Sequence, residues 1–218
     1  MTVRSIRALL FDLDGTLIDS REDLAASVNY ALRAVGEPPQ TRGAIVRHVG
    51  NGMRTLLANV LGKADEATLT DAISAFQDHY GAHCVDKTTT YPYVEETLKR
   101  VTEAGQKTAV VTNKPKGFAD KILNALKLRP FIEVVVGGDT VSERKPHPAP
   151  LLEAVKDLGG AIGSTLIVGD GIQDIKAGQA AGIATCVARY GFGFTPEVLS
   201  LKPDFSISDF GKLKEIVL

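Results

Sequence analysis

Beyond Tyr91-Pro92 the chain alternates amphipathic helical segments with short β-branched runs, and no other feature limits its fold as strongly. The spacing predicts helices over Val94–Ala104, Gly117–Leu126, Ala149–Leu158 and Asp174–Ala181. Each precedes an apolar run: Thr108–Thr112, Val134–Val136, Thr165–Val168 and Ala184–Val187. A fifth run, Ala8–Phe11, opens the chain. Runs without polar alternation are buried on both sides, which in this rhythm means a parallel sheet with helices on both faces. In such sheets ligands bind beyond the carboxyl ends of the strands, so the polar residues there are read together.

Between Ile18 and Cys84 no strand pattern occurs. Ser20 with Asp23 three residues on resembles a capping box, and Leu24, Val28, Ala31, Leu32 and Val35 recur at helical spacing until Gly36 and Pro38-Pro39 end the helix. A second helix is expected over Arg42–Val49, and a third carries Leu56, Leu57, Val60 and Leu61 between Gly50-Asn51-Gly52 and Gly62. A fourth, Glu66–His83, shows Leu69, Ile73 and Phe76 on one face. The expected fold class is therefore α/β: a Rossmann-like parallel sheet with helices on both faces, formed by residues 1–17 and 85–218, with an all-helical cap domain inserted at residues 18–84.

Asp12 and Asp14 end the first run, Thr112-Asn113 ends the second, and Gly169-Asp170 with Asp174 follows a later one; Lys145 sits in a loop with Pro146 and Pro148. Two carboxylates at i and i+2 repel one another unless a cation or shared hydrogen bonds compensate. Several carboxylates, a hydroxyl and an ammonium in one crevice fit a phosphate held with a hard divalent cation. Such anion binding must be local. The 25 basic and 26 acidic residues leave a net charge of −1, so neither nucleic acid nor an anionic membrane is expected as partner. Cys84 and Cys186 lack metal-ligand spacing and read as reduced thiols. The sequence shows neither an apolar leader nor a run near the roughly 18 apolar residues of a membrane span, and a cytoplasmic location is expected.

Asp12-Leu13-Asp14-Gly15-Thr16, Thr112-Asn113, Lys145-Pro146 and Gly169-Asp170-Gly171-Ile172-Gln173-Asp174 resemble, in order and spacing, the four motifs of the haloacid dehalogenase superfamily, and the first resembles its phosphatase branch. The resemblance covers essentially the whole chain. Val49-Gly50-Asn51-Gly52, Thr112-Asn113-Lys114-Pro115, Gly137-Gly138-Asp139 and Lys145-Pro146-His147-Pro148 are similar to phosphoglycolate phosphatases.

The resemblance implies hydrolysis of a small phosphorylated metabolite, 2-phosphoglycolate before sugar phosphates, nucleotides or pyrophosphate, by a monomer or homodimer. It assigns Asp12 as nucleophile, Asp14 as acid and base, and Thr112 and Lys145 as catalytic partners. Mg²⁺ would be held by Asp12, the Asp14 backbone carbonyl and Asp170. Gly15 and Asn113 would contact the phosphate, with Asp174 orienting Lys145 or a metal-bound water.

From the inserted helices Asn51, Gly52 and Arg54, or Arg47, are expected to meet the remainder of the substrate; Ser20, Arg21, Lys114 and His147 are weaker candidates. The family usually has a hydroxyl residue where Gly171 stands, so the setting of Asp174 is expected to differ here. A mutase on the same core, or a receiver-type signalling domain, are the competing readings.

Overall fold

The computed structural model describes residues 6–218. The chain divides into two compact units, one made of the residues up to Asp19 with Thr90–Leu218, the other of Ser20–Thr89. Strands β1 (Ala8–Phe11) and β2 (Ile18–Asp19) come first; helices α1 (Arg21–Ala34), α2 (Arg42–Val46), α3 (Met53–Leu61) and α4 (Glu66–His83) follow. After β3 (Thr89–Thr90) come α5 (Val94–Glu103), β4 (Lys107–Val111), α6 (Lys116–Ala125), β5 (Val134–Val136), α7 (Ala149–Asp157) and β6 (Thr165–Gly169). The chain ends with α8 (Ile172–Ala181), β7 (Ala184–Ala188), α9 (Pro196–Ser200), β8 (Phe205–Ile207) and α10 (Lys214–Val217).

Six strands form a parallel sheet in the order β5-β4-β1-β6-β7-β8. Phe11 is level with Val110 on β4 and with Val168 on β6, so the three central strands release their chains at one edge. The connections run outward from β1 to β5, then from β6 to β8 in the opposite direction. The reversal beside β1 opens a crevice at that edge.

Alternate residues serve opposite faces, as the pleat requires. Ala8, Leu10, Ala109, Val111 and Ile167 share one buried cluster with Leu151, Ala154 and Val155 of α7 and Ala177 and Ala181 of α8. On the other face Phe11 meets Phe210, ring centroids 5.6 Å apart. Leu9, Leu10 and Phe11 are fully buried, each contributing roughly 2 kcal/mol of apolar burial. The central strand therefore holds whatever follows Phe11 on a rigid support.

In the helical unit α1 and α4 lie side by side, burying Leu24, Val28, Ala31 and Leu32 of α1 and Leu69, Ala72, Phe76 and Tyr80 of α4. Ile73, expected on the buried stripe of α4, is only half-buried. Asp65 caps α4 by accepting the Thr68 N–H at 2.8 Å, which holds its carboxyl below the usual range.

The expected Ser20–Asp23 capping box does not form. The Ser20 side chain makes no cap hydrogen bond, and Asp23 is turned to the chain leaving α4, where it accepts the Lys87 and Thr88 N–H groups and the Thr88 hydroxyl at 2.7 Å. Buried donors nearby outcompete a solvated cap.

Helix α2 stops at Val46 rather than Val49, because His48 and Val49 bond three residues back, to Ile45 and Val46, and tighten the chain into turns. The short elements α9, β8 and α10 carry no legible period. Both cysteines are buried, and neither is in a disulfide. Among the described residues no helix is long and apolar enough to cross a membrane.

Candidate active site

The Asp12 N–H still belongs to the sheet, donating to the Val168 carbonyl at 2.9 Å, so its side chain is presented from the middle of the strand edge. Lys145 reaches it from the loop before α7. Its ammonium donates to Asp12 Oδ1 at 2.8 Å, Asp174 Oδ1 at 2.7 Å and the Val111 carbonyl at 2.6 Å, which uses all three donors. Burial alone would pull this ammonium down, but Asp12 and Asp174 outweigh it and hold Lys145 above its ordinary value.

The Lys145 loop is gripped by the Asn113 amide. Asn113 Nδ2 donates to the Lys145 carbonyl at 2.8 Å, and the Lys145 N–H donates to Asn113 Oδ1 at 2.9 Å. Asn113, expected to meet phosphate through its backbone, thus has a side-chain task that sequence reasoning missed.

Asp12, Asp170 and Asp174 each place one carboxylate oxygen within 4.8 Å of the others. Burial pushes the Asp12 carboxyl up to about 6 against the pull of Lys145. Burial, reinforced by Asp12 and Asp174, holds Asp170 well above the usual carboxylate range. Three acids here face one contacting ammonium. An oxygen-only, buried and over-acidic donor set of this kind fits a hard divalent cation.

Asp14 stands outside that triad, paired instead with Lys114, whose Nζ lies 2.7 Å from Asp14 Oδ1. Between the two aspartates and Asp170 the backbone is crowded. A Cβ at Gly15, where φ is +86°, would sit 1.9 Å from Asp170 Oδ2, so only glycine fits. Thr112 is buried with its N–H on the Val136 carbonyl; its hydroxyl accepts the Lys114 N–H at 3.2 Å, which leaves the hydroxyl hydrogen to be donated elsewhere.

Gly171 supplies the backbone answer to the departure in the fourth motif. As N-cap of α8 it donates its N–H to Asp174 Oδ2 at 3.0 Å, and the helix accordingly starts at Ile172 rather than Asp174. A main-chain donor holds Asp174 while Asp174 also grips Lys145.

Sequence reasoning missed the loop after β7. Gly193 donates its N–H to Asp170 Oδ2 at 2.7 Å, and a Cβ on Gly191 would meet Asp170 Cβ and the Gly15 carbonyl oxygen at 2.3 Å. Tyr190 donates its hydroxyl to the Thr16 carbonyl at 2.8 Å. The signal was present: two glycines two residues apart, the first three positions past an apolar strand.

Of the remaining candidates, His147 follows Lys145 by two residues and the others belong to the helical unit. His147 accepts the Ala149 N–H through Nδ1 at 3.2 Å at the start of α7. Gly52, with φ +84°, is the N-cap of α3, and Asn51 precedes it, exposed. Arg54 in the first turn of α3 pairs with Glu66, both exposed, and Arg47 is exposed after α2.

The sequence matches the haloacid dehalogenase-like hydrolase family over residues 9–188. It is 38% identical over 218 residues to a phosphoglycolate phosphatase of Psychrobacter arcticus, covering 96% of this chain and 95% of that one. The corresponding enzyme of Aquifex aeolicus is 37% identical, covering 93% of this chain and 92% of that one. A crystal structure of a predicted phosphoglycolate phosphatase from Haemophilus somnus superposes with a TM-score of 0.92 at 32% identity, covering 98% of each chain. With the sheet order, the strand-edge cluster and these matches in agreement, the chain belongs to the haloacid dehalogenase-like hydrolases.

Proposed function

We propose that the chain is a Mg²⁺-dependent phosphomonoester hydrolase that works through an aspartyl phosphate and prefers 2-phosphoglycolate. The observation that carries the reading is the half-buried Asp12 carboxylate at the end of the central strand, held by Lys145 at 2.8 Å beside the buried Asp170 and Asp174. The named relatives support the choice of substrate. Ser20–Thr89 is read as the cap, and recognition of the part of the substrate that is not phosphate is assigned to Asn51, Gly52 and Arg54 as a proposal.

Asp12, ionised above about pH 6, attacks phosphorus; the bond to the leaving oxygen breaks, and that oxygen takes the electron pair together with a proton from Asp14. Asp14 then removes a proton from the water that attacks the aspartyl phosphate, releasing phosphate and restoring Asp12. Lys145 and the Thr112 hydroxyl hold the transferring oxygens, and Gly15 lets the backbone approach. Asp12, the Asp14 carbonyl and Asp170 would hold the divalent ion, which supplies neutralisation of charge between nucleophile and phosphate.

Phosphate release over 2-phosphoglycolate, hexose phosphates, nucleotides and pyrophosphate, with and without Mg²⁺, tests the reading. It expects 2-phosphoglycolate to lead with a higher kcat/KM; an equal or reversed order would remove the substrate assignment.

The metal makes its own prediction. With carboxyls raised in the fold, the metal-free protein binds more protons than the unfolded chain and loses stability as pH rises from near 3.8 through about 6 for Asp12. Ionised carboxylates are the ligands, so the gain in melting temperature on adding Mg²⁺ should be small at pH 5 and large at pH 7.5. Asp170→Ala should remove most of it. A gain independent of pH, or retained in that variant, would contradict the site.

A further inference from the structure

Lys114 is the one candidate whose place changes most between sequence and structure, from the edge of the site to its centre. Its backbone is fixed from two sides: the N–H donates to Thr112 Oγ1 at 3.2 Å, and its carbonyl accepts the Gly138 N–H at 2.9 Å. Gly138 has no room for a side chain, since a Cβ would lie 2.3 Å from the Asn113 carbonyl oxygen; Asp139 closes the same corner by accepting the Lys116 N–H at 2.8 Å. The Gly137-Gly138-Asp139 segment thereby acts as a backstop for the loop that aims Lys114.

The aim is toward Asp14. The ammonium, with its side chain only 6% exposed, sits 2.7 Å from Asp14 Oδ1. In the proposed reaction Asp14 touches the leaving oxygen of the ester. Lys114 is thus one hydrogen bond beyond the atom that separates phosphate from the rest of the substrate. In a phosphorylated 2-hydroxy acid the carboxylate is attached one carbon past that same oxygen, within reach of a cation so placed.

Lys145 is already committed to Asp12, Asp174 and the Val111 carbonyl, so the two buried ammonium groups of the core unit have separate targets. An ammonium attracts a substrate carboxylate more strongly where water is excluded.

We propose that Lys114 is the specificity-determining residue of the core unit, binding the carboxylate of a phosphorylated 2-hydroxy acid while it steadies Asp14. The inference rests on the phosphatase reading above and deepens it. It places a carboxylate contact on the loop after β4, in addition to any that Arg54 of the helical unit makes.

The test measures carboxylate discrimination, the ratio of kcat/KM for 2-phosphoglycolate to that for ethyl phosphate, in the wild-type enzyme and in Lys114→Met. Any loss from disturbing Asp14 falls on both esters and cancels in the ratio. A hydrogen bond to a charged group corresponds to a fall in the ratio of about 10- to 100-fold. Lys114→Arg, which keeps a cation, should retain most of the ratio. Lys114→Gln serves if the Met variant does not fold.

An equal loss on both esters, or a ratio unchanged in Lys114→Met, overturns the inference while leaving the phosphatase reading in place. A wild-type ratio near one overturns it as well. A wild-type enzyme that discriminates for the carboxylate but hydrolyses another phosphorylated 2-hydroxy acid faster removes only the 2-phosphoglycolate assignment, and a ratio collapsing in Lys114→Met would still support Lys114.

Discussion

Asp12→Asn should abolish turnover of aryl and alkyl phosphates alike, by about ten-thousand-fold or more, because a neutral amide cannot form the phosphoenzyme. The fold should survive. Asn has the shape of Asp, and an amide oxygen at the Oδ1 position can still accept from Lys145, which also keeps Asp174 and the Val111 carbonyl. Removing one of three crowded carboxylates relieves part of the repulsion that, added to burial, keeps Asp170 well above its ordinary range. The melting temperature of the metal-free variant at pH 7.5 should therefore equal or exceed that of the wild type. A residual rate within about a hundredfold of wild type, or a folded variant that loses only alkyl esters, would mean that Asp12 is not the attacking group.

Lys145→Met should damage both chemistry and stability. Turnover should fall about a thousandfold, since an ammonium on the nucleophile and the transferring oxygens is lost. Stability should fall by about 3 kcal/mol in metal-free buffer at pH 7.5, the usual consequence of stranding a buried partner. Its pH dependence is the sharper signature. Without the cation the Asp12 carboxyl moves further upward, so the folded variant holds a proton that the unfolded chain has released, and stability declines as pH rises from near 4. The deficit relative to wild type should be small at pH 5 and large at pH 7.5 in urea titrations with a chelator present. An equal deficit at both pH values would point to lost packing rather than lost charge.

Much of the fold was legible because strand and helix periods alternate cleanly after Pro92, and because three motif segments follow apolar runs that pair in register. Asp12, Asp170 and Asp174 converge for that reason. What stayed hidden depends on contacts without a local pattern. Asn113 grips the Lys145 loop across 32 positions of sequence, and Gly193 reaches Asp170 across 23. Asp23 looked like a cap partner because it follows Ser20 by three, yet its ligands are the main-chain groups of Lys87 and Thr88, 64 and 65 positions on. Lys114 was only a weaker candidate for substrate contact until the fold placed Asp14 beside it.

The covalent intermediate is the central claim, and Asp14→Asn makes it visible. A p-nitrophenolate leaving group departs with little protonation, so Asp12 can still be phosphorylated, but nothing then deprotonates the water that clears the intermediate. Intact-protein mass spectrometry after mixing this variant with p-nitrophenyl phosphate and Mg²⁺ should show a gain of one phosphoryl group, on the peptide containing Asp12, alongside a burst of p-nitrophenolate matching the enzyme concentration. No mass gain and no burst in a folded Asp14→Asn protein, while the wild type turns the same ester over, would contradict the account.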